Sequence, residues 1–170
     1  MVKADLLDKG HELLPEQFPG TYGNVYLQKG VEWGNDSQTL FYLRLDPANR
    51  PYQLYRHRLG TDPTSDPLLY HEQAENYFLW LFKTRSQAYI AAWSHATNSD
   101  EWRILAADRP GQDLRVFQAR RPGLEYRVEH SGDRFYVLTN HQAQNFKLMT
   151  APLGSTALES WQDLIPHRQD

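Results

Sequence analysis

The chain has 170 residues, of which 40% are hydrophobic and 13% aromatic, and carries a formal net charge of −3. This length holds one domain or at most two, with enough apolar material for a core. The slightly acidic balance argues against a nucleic-acid or anionic-membrane partner. The absence of cysteine excludes disulfide and thiolate chemistry and fits a cytoplasmic setting.

Residues 1–29 carry two short alternating stretches, 2–6 and 11–14, about the turn Asp8-Lys9-Gly10, and then a crossing over 18–30. The acids in Met-Val-Lys-Ala-Asp-Leu-Leu-Asp interrupt the apolar core that a secretory leader needs. Asn35-Asp36-Ser37, a formal glycosylation sequon, is therefore read as turn chemistry. A strand over 31–33 precedes that turn, and strands follow at 39–45, 52–59 and 68–70. The next group is 78–82, the turn Thr84-Arg85-Ser86-Gln87, then 88–94, 101–107 and 115–117. Its run Tyr77-Phe78-Leu79-Trp80-Leu81-Phe82 is far short of the ~20 apolar residues of a membrane span. The last group is 125–130, the turn Ser131-Gly132-Asp133, then 134–139, 145–151 and 163–165. Pro, Gly and Asp clusters at 46–51, 59–63, 108–111 and 120–123 separate the strands.

The first strands begin at 31, 78 and 125, a constant step of 47 residues. Four short strands in a repeat of ~40–50 residues is the pattern of a propeller blade. The fold expected is all-β: a partial β-propeller of about three four-stranded antiparallel blades plus part of a preceding one. It divides into 1–29 as part-blade and crossing, then blades at 30–72, 73–119 and 120–170. An antiparallel sandwich of about twelve strands is the alternative, but a sandwich has no reason to keep a 47-residue step. Three blades cannot close a ring that normally takes ~4–8. An open arc exposes an apolar face at each end, so the chain is expected to belong to a larger assembly or to associate with a second copy.

The seven histidines, His11, His57, His71, His95, His130, His141 and His167, show no metal-ligand spacing, and neither a metal nor a cofactor is expected. No Gly-x-Ser-x-Gly elbow or glycine-rich phosphate loop occurs. Arg56-His57-Arg58 and Arg120-Arg121 read as solvated surface clusters, and Tyr52, Tyr55 and Tyr70 as a stripe of inter-blade core. Glu72, Glu75, Glu125 and Glu129 are acids able to receive a cationic peptide, or ordinary strand-end acids.

Several segments carry a more specific signal: Trp33-x-Asn35-Asp36 before Leu40-Phe41-Tyr42, the run Arg50-Pro51-Tyr52-Gln53-Leu54-Tyr55-Arg56-His57-Arg58-Leu59-Gly60-Thr61, and Val128-Glu129-His130. Asp133-Arg134-Phe135-Tyr136-Val137-Leu138-Thr139-Asn140, Asn145-Phe146-Lys147-Leu148 and Asp163-Leu164-Ile165-Pro166-His167-Arg168 continue it. Over roughly residues 20–170 the chain resembles the propeller of the oligopeptidase B (protease II) group in the prolyl oligopeptidase family of serine peptidases.

The resemblance implies a propeller set over an α/β-hydrolase domain whose Ser-Asp-His triad cleaves short peptides after Lys or Arg. None of that triad is in this sequence, so no catalytic residue is assigned and the chain alone is expected to be inactive. It further implies that the loops entering each first strand, and those between second and third strands, face the catalytic domain: 24–30, 73–77, 94–99, 120–124 and 142–144. Gln28, Glu75, Phe78, Asn98 and Ser99 are the substrate-lining candidates. Gln28 is an amide where relatives sometimes hold an acid. Phe78 has inter-blade core, and Asn98-Ser99 a plain hairpin turn, as alternative roles. A stand-alone, self-associating binding module is the competing reading for the whole chain.

Overall fold

The computed structural model describes residues 30–167. Its strands follow from alternation interrupted by turns whose own chemistry closes them. Asp36 accepts backbone N–H bonds from Gln38 at 3.0 Å and Thr39 at 2.9 Å, while Ser37 takes a left-handed φ of 55°. Fifty residues later Thr84 and Ser86 accept from the N–H groups of Tyr89 and Ala88, and Gln87 takes φ 61°. In the third hairpin Gly132, with φ 63°, makes the turn in two residues.

The first sheet contains β1 (Val31–Trp33), β2 (Thr39–Leu45), β3 (Pro51–Arg58) and β4 (Leu68–His71). The second contains β5 (Phe78–Lys83), β6 (Tyr89–Ala96), β7 (Ser99–Ala106) and β8 (Arg115–Gln118). The third contains β9 (Tyr126–Ser131), β10 (Arg134–Thr139), β11 (Lys147–Pro152) and β12 (Gln162–Ile165). Each is an antiparallel meander in which neighbours in sequence are neighbours in space. The fourth strands begin at Leu68, Arg115 and Gln162, so the 47-residue step holds at the outer edges as well. Among the described residues there is no α-helix, only two single 3₁₀ turns at Pro63–Ser65 and Leu158–Ser160. The architecture is the partial propeller expected from the repeat. The part-blade and crossing assigned to 1–29 lie outside the described residues.

The cores sit between sheets. Phe41, Leu43 and Leu54 of the first pack on Leu79, Leu81, Ile90 and Ala92 of the second. Trp102, Ile104 and Phe117 of the second pack on Tyr126, Phe135, Val137 and Met149 of the third. Rings dominate this second interface: Trp93 stacks on Trp102 with centroids 5.3 Å apart, and Phe117 meets Phe135 edge-on at 5.0 Å. Polar bonds cross it too. Trp102 donates its backbone N–H to the Tyr126 hydroxyl at 2.9 Å and its indole N–H to the Tyr126 carbonyl at 2.9 Å. The Tyr126 hydroxyl in turn donates to the Gln118 carbonyl at 2.5 Å, and its burial pushes the phenol pKa up. Hairpins also interlock: Asn35 donates its N–H to the Ala107 carbonyl at 2.7 Å, and Gly34 lies so near Pro110 that a Cβ there would stand 2.9 Å from the proline ring.

Three readings of the sequence change here. The cluster Arg56-His57-Arg58 is not simply solvated. His57 is buried with its Nδ1 2.9 Å from Asp66, and Arg56 reaches into the second sheet to the carbonyls of Pro110 and Gln112, both at 3.0 Å. Tyr52, Tyr55 and Tyr70 do not form one stripe. Tyr55 stacks on Tyr42 at 5.5 Å, whereas Tyr70 joins the core between the first two sheets. The two lie on opposite faces because side chains alternate along a strand and Tyr70 is paired with Leu54, the neighbour of Tyr55. Lastly, β6 and β7 are longer than expected, which reduces the loop at 94–99 to the two residues Thr97 and Asn98.

The forward face of the third sheet repeats the positions that carry an interface in the other two. Tyr136, Leu138, Leu148 and Ile165 pair across their strands as Ala91, Trp93, Trp102 and Gln118 do, and Leu138 and Ile165 are well exposed. Such a patch drives association. The purified chain is expected to elute from size exclusion as a dimer or larger species at micromolar concentration, and Leu138→Lys to shift it towards monomer. A wild-type monomer would show that this face needs no partner.

Candidate functional site

Meander topology puts two sets of connections at one end of every sheet: the crossings from fourth strand to next first strand, and the second-to-third turns. In the second sheet these are the crossing 72–77 and the turn at Thr97 and Asn98. The crossing is held firmly. Arg50, from the second-to-third loop of the first sheet, donates to the carbonyls of Glu72 (3.4 Å), Ala74 (3.1 Å) and Tyr77 (3.0 Å). A turn closed by the Tyr77 N–H on the Ala74 carbonyl puts Glu75 at its exposed tip.

A charged network lies beneath. The carboxylate of Glu72, whose side chain is 3% exposed, takes the Arg120 guanidinium at 2.6 Å, the Tyr70 hydroxyl at 2.8 Å and the Ala74 N–H at 3.0 Å. Arg120 lies in the crossing to the third sheet, rests over the Tyr77 ring at 4.0 Å and approaches Glu101 at 3.5 Å. Glu101 also pairs with Arg103 at 2.6 Å, and Arg103 covers the Tyr70 ring at 4.1 Å. Burial pushes the Glu72 carboxyl up, but the Arg120 hydrogen bond and those of Ser94, Ala74 and Tyr70 outweigh it and hold the pKa below the usual glutamate value. Burial pushes Arg120 down, but the Glu72 carboxylate, with Glu101 nearby, outweighs it and raises the guanidinium above its usual value.

The structure therefore separates the residues picked from sequence. Glu72 is consumed by Arg120 and is not available to a peptide, and Arg120 is an inter-sheet tie rather than a solvated charge. Glu125 and Glu129 belong to the third sheet: Glu125 accepts from the Asn140 amide at 3.2 Å, and Glu129 from the Arg85 N–H at 3.0 Å. Ser99 is 4% exposed, begins β7 and hydrogen-bonds the Tyr77 hydroxyl, so it cannot line an open surface. Phe78 is not core: it is 47% exposed at the start of β5 and borders an apolar recess of about 230 Å³ with Leu43, Pro51 and Trp80. Glu75, Phe78 and the exposed Asn98 stand at this one end of the second sheet. Gln28 lies outside the described residues.

A further pair at this end was missed in the sequence. His95 is paired with Phe78 across β5 and β6, and with Asp100 across β6 and β7. Its Nδ1 lies 2.7 Å from Asp100, a buried carboxylate that also accepts the Trp93 indole N–H at 2.8 Å and the Tyr126 N–H at 2.8 Å. The signal was available in the two-residue turn at Thr97 and Asn98, which sets residues 95 and 100 opposite each other.

Among the described residues no group of three or more His, Cys, Asp or Glu is placed to hold a metal ion. None of their helices is long and apolar enough to cross a membrane.

Comparison with known proteins agrees with this architecture. Residues 7–170 match the family model described as "Prolyl oligopeptidase, N-terminal beta-propeller domain". The chain belongs to the prolyl oligopeptidase family, in its N-terminal β-propeller domain. It is 37% identical over 142 residues to Protease 2 of Moraxella lacunata, covering 84% of this chain and 20% of that protein. It is 34% identical over 166 residues to Dipeptidyl aminopeptidase BI of Pseudoxanthomonas mexicana, covering 96% of this chain and 22% of the relative. The structure of oligopeptidase B from Leishmania major superposes with a TM-score of 0.75 at 28% identity, over 82% of this chain and 20% of that one. Oligopeptidase B from Trypanosoma brucei, with covalently bound antipain in a closed form, shares the fold at a TM-score of 0.74 and 24% identity, over 82% and 20%. This propeller segment thus spans about a fifth of the length of the curated relatives it matches.

Proposed function

We propose that this segment acts without catalytic residues of its own, gating access of short peptides to the triad of a serine oligopeptidase that cleaves after Lys or Arg in the cytoplasm. Its partner is the α/β-hydrolase domain of the same parent protein, which faces the end where the crossings and second-to-third turns gather. The observation that carries the reading is Phe78. A large aromatic side chain left 47% exposed at the mouth of an inner strand, beside Glu75 and Asn98, suits a surface that peptides pass over. The acid and the ring together provide charge attraction and stacking for a basic residue. The ionic network beneath keeps this end rigid, so a folded protein is excluded by a fixed rim.

A photo-crosslinking peptide carrying one arginine tests the reading. It is expected to label the chain at the crossing 72–78 and the turn at Thr97 and Asn98, and to be displaced by unlabelled basic peptide. The chain alone is expected to leave the same peptide uncut. Labelling confined to the opposite end, at the hairpin turns 34–38 and 84–88, would sink the proposal.

A further inference from the structure

His95 has a geometry that a structural histidine does not need. Its side chain is 39% exposed, yet its ring is fixed from two sides: Nδ1 on Asp100 at 2.7 Å, and the ring against Trp93 with centroids 4.7 Å apart. A carboxylate only accepts, so Nδ1 donates to it, and the tautomer this selects turns the Nε2 lone pair outward. Asp100 cannot swing away, because the Trp93 indole and the Tyr126 N–H hold it as well. Nε2 has no partner among the described residues. The result is a pre-aimed acceptor with a buried negative charge behind it.

The neighbours select what would bind. Phe78 lies directly across the strand pair from His95, on the same face and at side-chain contact range of about 5 Å. Its exposed ring offers a stacking surface, and Trp93, two pairs further along and on the same face, extends it. Of the cations at this end, Arg120 and Arg103 are already matched by Glu72 and Glu101. Arg127, 5.7 Å from the Trp93 ring, is exposed. Asp100 and Glu75 leave the local balance negative. A planar cation that stacks on a ring and donates sideways to an acceptor satisfies every one of these features, and guanidinium is the side chain with that shape.

We propose that His95, backed by Asp100 and flanked by Phe78, is a specificity-determining contact for the arginine guanidinium of a short peptide. The guanidinium stacks on Phe78 and donates one N–H to Nε2. This rests on the peptide-gating reading above and assigns it a recognition element within the propeller.

The test uses the 170-residue chain and two blocked tetrapeptides, Ala-Ala-Arg-Ala and Ala-Ala-Gln-Ala, titrated by heteronuclear NMR with the His95 imidazole as reporter. The arginine peptide is expected to bind about tenfold more tightly than the glutamine peptide and to shift Nε2, in keeping with a hydrogen bond to a charged donor. His95→Phe is expected to remove that preference, bringing the two peptides to equal affinity. His95→Gln, whose side-chain oxygen still accepts, is expected to keep most of it. An arginine preference undiminished in His95→Phe overturns the role of His95 and leaves the gating reading standing. Equal binding of both peptides to the wild type overturns both the His95 contact and the basic specificity. Binding of neither overturns the peptide-lining surface itself.

Discussion

Replacing Trp102 with alanine is expected to lower the unfolding free energy by about 4 kcal/mol, within the range for removal of a buried aromatic. Trp102 is buried at the centre of the interface between the second and third sheets, stacked on Trp93 and within 6.0 Å of Phe82. Its indole N–H and backbone N–H both bond Tyr126, so truncation opens a cavity and leaves the Tyr126 carbonyl without its donor. Trp102→Phe keeps part of the ring packing and is expected to cost about half as much. Urea unfolding followed by far-ultraviolet circular dichroism measures both. The cores pack the first sheet on the second and the second on the third, so the third sheet is expected to loosen before the first two. A loss under about 1 kcal/mol for Trp102→Ala would mean that this interface contributes little to the folded state.

Arg120→Ala is expected to cost about 3 kcal/mol, because it leaves the Glu72 carboxylate buried beside Glu101 with no cation. The pH dependence identifies the cause. The Glu72 pKa is depressed in the folded chain, so the stability it contributes is present above the ordinary glutamate value and is lost as pH falls through the depressed one. The wild type should therefore weaken as pH falls from the ordinary glutamate range through the depressed value. Glu72→Gln, with no carboxyl to protonate, should show a flatter profile. In Arg120→Ala the largest of the interactions holding that pKa down is gone, and the acid-side loss should shrink. An unchanged profile in both variants would assign the acid response to other carboxylates.

Strands and repeat were legible in the sequence because their causes are local. Asp36, Ser86 and Gly132 each close a hairpin within a few residues, and apolar alternation marks which face is buried. The 47-residue step needed no knowledge of contacts. Boundaries slipped where a turn was tighter than its composition suggested: Thr97 and Asn98 suffice where six residues were assigned, and this moved Ser99 from a loop into a buried strand.

The charged residues tell the other half. Strand periodicity says whether a side chain points in or out, but not what meets it from a sheet some fifty residues away. Arg56, Arg120 and Glu72 looked like surface charge because their partners, Pro110 and Gln112 for the first and each other for the last two, are separated by 48 to 56 positions. Phe78 could be read as core or as lining, and only the packing of the first sheet against the second leaves its ring exposed across the strand pair from His95. The sequence by itself determined an all-β repeat of four-stranded units, since hydrogen bonding within a meander and the chemistry of its turns are short-range. The tertiary structure alone decided which charges are spent in holding the sheets together and which groups remain at the crossing end to meet a ligand, since burial and pairing between sheets depend on atoms far apart in the chain.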